Sequence, residues 1–161
     1  MLLVSLLGHA QRVGSASNIP VRASTRLRLL AEVEPANAKA GEPIFLKLRT
    51  KNISSKTVGM ADTGYNDYDL TLADGSGKEP PLTKFGVDLR ENAILLRSVS
   101  LDLEPGEEAS VTLEITKIYR LAPGTYYLRA SRHTINPESR EEFGRVDERA
   151  FSNPVMFTVL P

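Results

Sequence analysis

Few side chains in this sequence have the chemistry that catalysis needs. The 161-residue chain contains no Cys and only two His, His9 and His133. A serine nucleophile would need a histidine as its base, yet the chain has no Gly-x-Ser-x-Gly turn to present the serine. The zinc-protease, phosphate-loop and dinucleotide-binding motifs are missing as well. We therefore predict that the protein is not an enzyme, uses no cofactor, and carries His133 as an exposed residue at the end of a strand.

Acidic and amide side chains are concentrated in one short segment, at Asp62, Asn66, Asp67 and Asp69. Oxygen ligands at this density are typical of Ca²⁺ sites. The spacing does not match the helix–loop–helix calcium loop, because the Gly at its sixth position and its closing Glu are missing. Asx residues also favour turns by bonding their own backbone. We predict a solvated turn without a metal, and calcium binding remains the alternative.

Composition limits the partners that the chain can attract. Lys and Arg together number 20, and so do Asp and Glu, so the formal net charge is zero. A neutral protein has no overall attraction to nucleic acid or to an anionic membrane. No apolar stretch approaches the roughly 20 residues that cross a bilayer. We predict no nucleic-acid partner and no membrane span.

The first ten residues have the pattern of an export signal. Residues 1–7 are mostly apolar, and Gly8-His9-Ala10 puts small residues at the −3 and −1 positions of a cleavage site. The basic segment that normally precedes such a run is missing. We interpret residues 1–10 as a truncated signal peptide and expect a periplasmic or secreted protein. The alternative is an N-terminal tail with a chance cluster of Leu.

The remainder divides into a linker and one domain. Residues 11–24 are small and polar, which is typical of a linker. Residues 25–161 have a length that suits a single domain. In this part apolar side chains recur at every second position, which predicts strands. The predicted strands A to G cover residues 26–33, 44–53, 68–73, 98–103, 109–116, 126–132 and 155–160.

Pro and Gly separate these strands. Residues 74–77 read Asp-Gly-Ser-Gly and predict a turn. Glu104-Pro-Gly-Glu107 is a type II turn signature, because Pro presets φ at the second position and Gly accepts a positive φ at the third. Residues 122–125 repeat that chemistry. Strands with one apolar face each must be covered by a second layer. We predict an all-β, immunoglobulin-like antiparallel sandwich of about seven strands.

The connection between strands F and G is long, from residue 133 to residue 153. Within it, residues 136–144 begin with Asn-Pro, continue with acids and end with Gly, which predicts a short helix. Connections of this length inside a compact domain are often functional.

Two resemblances support the fold prediction. Residues 121–128 resemble the tyrosine corner of immunoglobulin-like domains, with Tyr126 two positions before the place of a core cysteine. That place is taken by Leu128, and its partner on strand B would be Leu46 or Leu48. The core disulfide would thus be replaced by aliphatic packing, and the strand C tryptophan is also missing.

The second resemblance covers residues 42–132. Asn52, Tyr68-Asp-Leu70, residues 74–79, residues 103–107 and residues 123–126 follow one another in an order that resembles the bacterial intracellular proteinase inhibitor family. The sequence departs from that family at Pro80-Pro-Leu-Thr83, where the family has a Trp-rich segment. The resemblance implies a sandwich fold and inhibition of a protease by loops at its end.

The F–G connection provides the candidate binding residues. Phe143 is an aromatic anchor if it is exposed, and Arg140, Arg145 and Arg149 would pair with acidic groups of a partner. The competing interpretation is that Phe143 and Phe151 hold the loop against the sheet edge.

Strand B carries two further patterns. Lys47, Arg49 and Lys51 form a basic stripe on its outer face, which we interpret as cross-strand charge pairing rather than a polyanion site. Asn52-Ile53-Ser54 fits the glycosylation pattern, but we expect Asn52 to cap the end of the strand.

We thus predict a monomeric, non-catalytic interaction module that binds a protein, or a glycan, through its end loops. One alternative is a proteinase inhibitor that inserts these loops into an enzyme cleft. The other is a structural module of the cell envelope that adds its edge strand to a neighbour.

Overall fold

The computed structural model describes residues 21–62, 64–91, 99–133 and 147–161, and strands make up most of them. The helical elements are a 3-10 helix at Gly64–Asp67, α1 at Lys84–Arg90 and the short α2 at Ile115–Ile118. The strands are β1 Val21–Ala23, β2 Leu27–Glu34, β3 Asn37–Lys39, β4 Phe45–Asn52, β5 Val58–Asp62, β6 Tyr68–Asp74, β7 Val99–Leu103, β8 Glu108–Glu114, β9 Gly124–His133, β10 Asp147–Phe151 and β11 Val155–Leu160.

The strands form two main sheets and one small one. In the front sheet, β9 pairs along one side with β6 and along the other with β10 and β11, all antiparallel. The two short strands β1 and β3 extend this sheet in parallel with β10 and β11. The back sheet has the antiparallel order β2-β4-β8, and β5 pairs with β7 separately. The predicted immunoglobulin-like sandwich is confirmed.

The core forms because the apolar side chains of both sheets alternate with polar ones. Leu46 and Leu48 of the back sheet and Leu128 and Phe157 of the front sheet are almost fully buried. Removing this apolar surface from water is the main favourable contribution to folding. The buried cluster also includes Leu27, Leu29, Ile44, Leu72, Leu103, Leu113, Ile115, Tyr126 and Val159.

All seven predicted strands are present, with some corrections. Val21–Ala23 pair with β10, so the predicted linker over residues 11–24 is wrong for these three residues. Strand E ends at Glu114 rather than residue 116, because α2 begins at Ile115. Four short strands (β1, β3, β5 and β10) and helix α1 were not predicted. The helix expected at residues 136–144 and the signal expected at residues 1–10 lie outside the described residues.

The tyrosine corner is confirmed at the start of β9. The Tyr126 hydroxyl donates a hydrogen bond to the Ala122 carbonyl, at 2.8 Å. The predicted type II turn is confirmed as well, since Gly106 has φ of 85° and the Glu107 N–H donates to the Glu104 carbonyl. Gly124 has φ of 154°, well away from the roughly 80° of a type II turn, so the second turn prediction is wrong.

The turn at residues 74–77 is built around the Asp74 carboxylate. It accepts hydrogen bonds from the Ser76 hydroxyl, the Ser76 N–H and the Lys78 N–H, at 2.6, 2.8 and 3.0 Å. These bonds, that of the Ser76 hydroxyl foremost, lower the pKa of Asp74 below its usual 3.8. The predicted turn at the end of β6 is therefore an Asx-type turn.

Asn52 ends β4 with every side-chain group bonded. Its amide Nδ2 donates to the carbonyls of Lys56 and Leu103, at 2.8 and 2.9 Å. Its Oδ1 accepts from the N–H and the hydroxyl of Ser54. The side chain is fully buried, so Asn52 caps the strand as expected, and its amide is inaccessible to glycosylation in the folded chain.

We expect Asn52→Asp to lower the free energy of unfolding by about 3 kcal/mol at neutral pH, because a carboxylate of the same shape donates no hydrogen bond. Two carbonyls would then face a buried charge. Asn37→Asp, on the exposed side of β3, is the control and should change stability by less than about 0.5 kcal/mol. Urea denaturation of both variants gives the comparison. Equal stabilities would contradict the role assigned to Asn52.

Helix α1 is capped and held close to α2. The Thr83 hydroxyl accepts a hydrogen bond from the Gly86 N–H at 3.0 Å, and the Thr83 N–H donates to the Ile118 carbonyl at 2.9 Å. A Cβ on Gly86 would lie 2.2 Å from the same Ile118 carbonyl oxygen. The two helices approach this closely only because Gly86 has no side chain.

Helix propensity alone predicts that Gly86→Ala stabilises the protein by about 1 kcal/mol. We expect the opposite, a destabilisation of about 1–3 kcal/mol, because the methyl group overlaps backbone that cannot rotate away. Gly75→Ala is the control, since a Cβ there has no atom within 4 Å. Thermal unfolding separates the two variants, and a raised melting temperature for Gly86→Ala would rule out the close approach.

Candidate interaction surface

Of the four predicted binding residues, Phe143, Arg140 and Arg145 lie outside the described residues. Arg149 is on β10, and its Nη1 donates to Asp69 Oδ2 on β6, at 2.6 Å. The same carboxylate oxygen is 3.4 Å from His133 Nε2, at the exposed end of β9. Arg149 therefore links three strands of the front sheet at the point where the F–G connection leaves it. Its role in binding stays a prediction.

Phe151 belongs to β10 and is exposed on the front sheet. The Arg129 guanidinium lies over its ring, with Cζ 4.9 Å from the ring centroid. Arg129 Nε also donates to the Ser152 carbonyl at 3.2 Å, which holds the guanidinium in this position. The pair forms an ordered aromatic–cation contact on the surface.

The solvent-facing side of the front sheet carries a group of apolar side chains. Register aligns Ala73 of β6, Tyr127 of β9 and Met156 of β11 in one row across three strands. Tyr127 is 52% exposed and Met156 is 59% exposed. Phe151 and Leu160 are exposed on the same side of the sheet. We call this group the outer face: Ala73, Tyr127, Arg129, Phe151, Met156 and Leu160.

The clustering distinguishes these residues from ordinary exposed apolar side chains. Seven large hydrophobic side chains are exposed in the described part of the chain, and four of them lie on the outer face. Single exposed apolar residues are normal in soluble proteins, whereas grouped ones mark interaction sites. The sequence does not reveal this face, because Tyr127 and Met156 are 29 positions apart and become neighbours only through the pairing of β9 with β11. The available sequence signal was the presence of apolar residues at the outward-facing positions of strands F and G.

Two cations accompany the apolar side chains of the outer face. Arg129 lies within it, and Lys39 is the register partner of Leu160 at its edge. The carboxylate of Asp69 is already bonded to Arg149. Among the described residues, the outer face thus offers apolar surface with cations beside it.

A charged group lies buried beneath the same sheet. Arg132 is 4% exposed, and its Nη1 donates to the Tyr68 hydroxyl at 2.7 Å. Its Nη2 is 3.9 Å from Asp67 Oδ2, which also accepts from the Gly64 N–H at 3.1 Å. The Tyr68 hydroxyl is 3.5 Å from Thr50 Oγ1 on the back sheet. This network joins the two sheets where β6 begins.

The acidic segment is therefore divided between two arginines. Asp67 faces the buried Arg132, whereas Asp69 faces Arg149 on the solvent-facing side of the front sheet. The side chain of Asp62 lies outside the described residues. Within the described ranges, no cluster of three His, Cys, Asp or Glu side chains has the geometry of a metal site.

We expect Arg132→Met to lower the free energy of unfolding by about 3–5 kcal/mol, because it removes the cation that faces the buried Asp67 carboxylate. Adding Asp67→Asn to that variant should recover at least about 1 kcal/mol, since the uncompensated charge is gone. A double-mutant cycle in urea measures the coupling between the two side chains. Strictly additive effects would show that the pair is not coupled.

Two residues of the basic stripe on β4, Lys47 and Arg49, form the expected cross-strand charge pairs. Lys47 bonds Glu34 on β2, and Arg49 Nη1 is 3.9 Å from Glu108 Oε1 on β8. Both pairs cross between neighbouring strands of the back sheet and are exposed, so their contribution to stability is small.

Comparison with known proteins adds little to this picture. No family model matches the sequence, and no curated protein sequence matches it. Among solved structures, the chain is similar to one in the complex of zinc 2-glycoprotein with prolactin inducible protein from human seminal plasma. That match has 11% identity and a TM-score of 0.43, and it covers 84% of this chain and 97% of the other. A likeness of this degree carries no argument about function, and the resemblance to proteinase inhibitors stays a prediction.

Within the described ranges, no helix combines the length and apolar character needed to cross a bilayer.

Proposed function

We propose that this protein is a non-catalytic interaction module and that its outer face binds another protein. The observation that carries the proposal is the grouping of Tyr127, Phe151, Met156 and Leu160 on one side of the front sheet. The composition of the outer face is typical of protein interfaces, where Tyr, Phe, Met and Arg are enriched relative to the rest of the surface. The sequence prediction of binding through end loops is compatible with this surface, because Arg149 connects the F–G connection to the same sheet.

The geometry of the sheet supports a protein partner. Tyr127 and Met156 are direct cross-strand neighbours, so their side chains present one continuous apolar contact. Arg129 lies over Phe151 and is held by the Ser152 carbonyl, so little side-chain entropy remains to be lost when a partner docks. A flat face of this kind suits a protein surface rather than a small molecule, which normally binds in a concave pocket.

The charges define the chemistry of the partner. Arg129 and Lys39 add positive charge to the outer face, while Asp69 is matched by Arg149. The complementary surface has an apolar centre with carboxylates beside it, and opposite charges would speed the encounter. The proposal includes a periplasmic or secreted location, which rests on the prediction from residues 1–10. It also includes the separate prediction that the protein is a monomer.

The proposal is tested by affinity capture from the source cells, followed by purification of the captured protein and calorimetric titration. We expect Tyr127→Ser combined with Met156→Ser to weaken binding at least about tenfold, or 1.4 kcal/mol. Both side chains are exposed, so the melting temperature should change little. Leu30→Ser combined with Ile53→Ser is the control, because these exposed apolar residues lie off the outer face.

Three results would contradict the proposal. Unchanged affinity in the Tyr127/Met156 variant would place the interface elsewhere. Inhibition of an enzyme in a protease panel that survives the same substitutions would favour the proteinase inhibitor alternative. Binding of a glycan array but of no protein would make the ligand a carbohydrate.

A further inference from the structure

The backbone of β6 has one side without a strand partner in the described part of the chain. Ala130 of β9 directs its N–H to the Ser152 hydroxyl and its carbonyl to the Ser152 N–H, at 2.9 and 2.8 Å. Both groups therefore point away from β6. Leu70 is the register partner of Ala130, so this is a non-hydrogen-bonded pair, and the N–H and carbonyl of Leu70 point away from β9. The same alternation applies to Tyr68 and Leu72.

A groove lies beside this edge. Its volume is about 260 Å³, below the roughly 300–1,000 Å³ of cavities that hold drug-sized ligands. One wall is β6, and the opposite wall is α1 with the end of α2. The side chains and backbone that line it include Tyr68, Leu70, Leu82, Leu89, Ile118 and Tyr119. The space fits a side chain rather than a whole small molecule.

The edge of β6 at Leu70 is less protected than the β2 edge of the back sheet at Ala31. At β2, the Asn153 amide accepts from the Ala31 N–H and donates to the Ala31 carbonyl, at 2.9 and 3.1 Å. At β6, the Tyr119 hydroxyl donates to the Leu70 carbonyl at 3.4 Å. Burial raises the pKa of Tyr119 above its usual 10.0, so this hydroxyl remains a donor at neutral pH.

The charges at the rim of the groove are matched within the protein. Arg90 bonds Glu79 with both of its terminal nitrogens, and Asp69 bonds Arg149. The rim therefore presents no excess charge, and the complementary occupant is neutral: peptide backbone with an apolar side chain.

We propose that the groove beside β6 binds an extended segment of a partner protein, which pairs with the Leu70 N–H and the Tyr68 carbonyl and places one apolar side chain between β6 and α1. This is strand addition, in which backbone hydrogen bonds provide affinity and the pocket selects the side chain. Gly86 maintains the groove by allowing α1 to approach α2, which fixes the far wall. The site is separate from the outer face, and its occupant does not depend on the protein proposed to bind there.

The experiment uses a phage-displayed library of short linear peptides selected on the full chain. Peptides with a bulky apolar residue should be enriched, and in the complex the Leu70 amide should exchange with solvent at least about tenfold more slowly, as a new hydrogen bond requires. Leu89→Trp, which fills the groove, should weaken binding at least about tenfold. Val87→Trp is the matched control on the exposed side of α1.

Other results would overturn the proposal. Peptides that bind Leu89→Trp as well as the wild-type protein would lie outside the groove, and failure to enrich any peptide would show that the edge is closed. Unchanged Leu70 exchange in the wild-type complex would exclude strand addition even if the Leu89 variant did not fold. A dimer that protects Leu70 without peptide would make a second copy of the chain the occupant.

Discussion

The register of β9 is the constraint on which the rest of the sandwich depends. Side chains alternate between the two faces of a strand, so a shift of one residue would exchange the buried set for the exposed set. Contacts at both ends prevent this shift: Tyr126 bonds the Ala122 carbonyl at the start of β9, and Arg132 bonds Tyr68 near its end. Because the two contacts lie at opposite ends of β9, neither end of the strand can change its register alone. Tyr127 is thereby kept on the solvent side.

Both candidate surfaces follow from this register. It aligns Tyr127 with Met156 and so turns two separate exposed residues into one apolar contact. It also places Ala130 opposite Leu70 while Ala130 is engaged by Ser152, which leaves the Leu70 backbone groups directed to the groove. A face and an edge of one sheet are thus determined by the same strand. The outer face lies on the solvent-facing side of the sheet, whereas the groove lies beside the edge of β6. Substitutions in one surface therefore need not disturb the other.

The sequence predicted the strands whose own side chains carry the signal. Seven strands have an apolar face that is visible at every second residue, whereas β1 and β3 have three residues each and form by pairing with strands far along the chain. Helix α1 is not evident from the sequence, because glycine disfavours a helix and Gly86 lies within it. Glycine is required at this position by the close contact with the Ile118 backbone. The outer face was missed for a similar reason: the pattern places Tyr127 and Met156 outward, but only the register makes them neighbours.

Two asparagines show how the fold satisfies its backbone where strand pairing is interrupted. A side-chain amide has the donor and acceptor of a peptide group, so it can replace a strand for one residue. Asn153, between β10 and β11, does this for Ala31 and thereby ties the front sheet to β2. Asn52 has the same role where β4 ends, because its amide donates to the carbonyl of Leu103 at the end of β7. The Tyr119 hydroxyl, in contrast, donates to the Leu70 carbonyl and leaves the Leu70 N–H to be satisfied in another way. This chemical difference is the reason that the edges of the sandwich differ in their openness to an added strand.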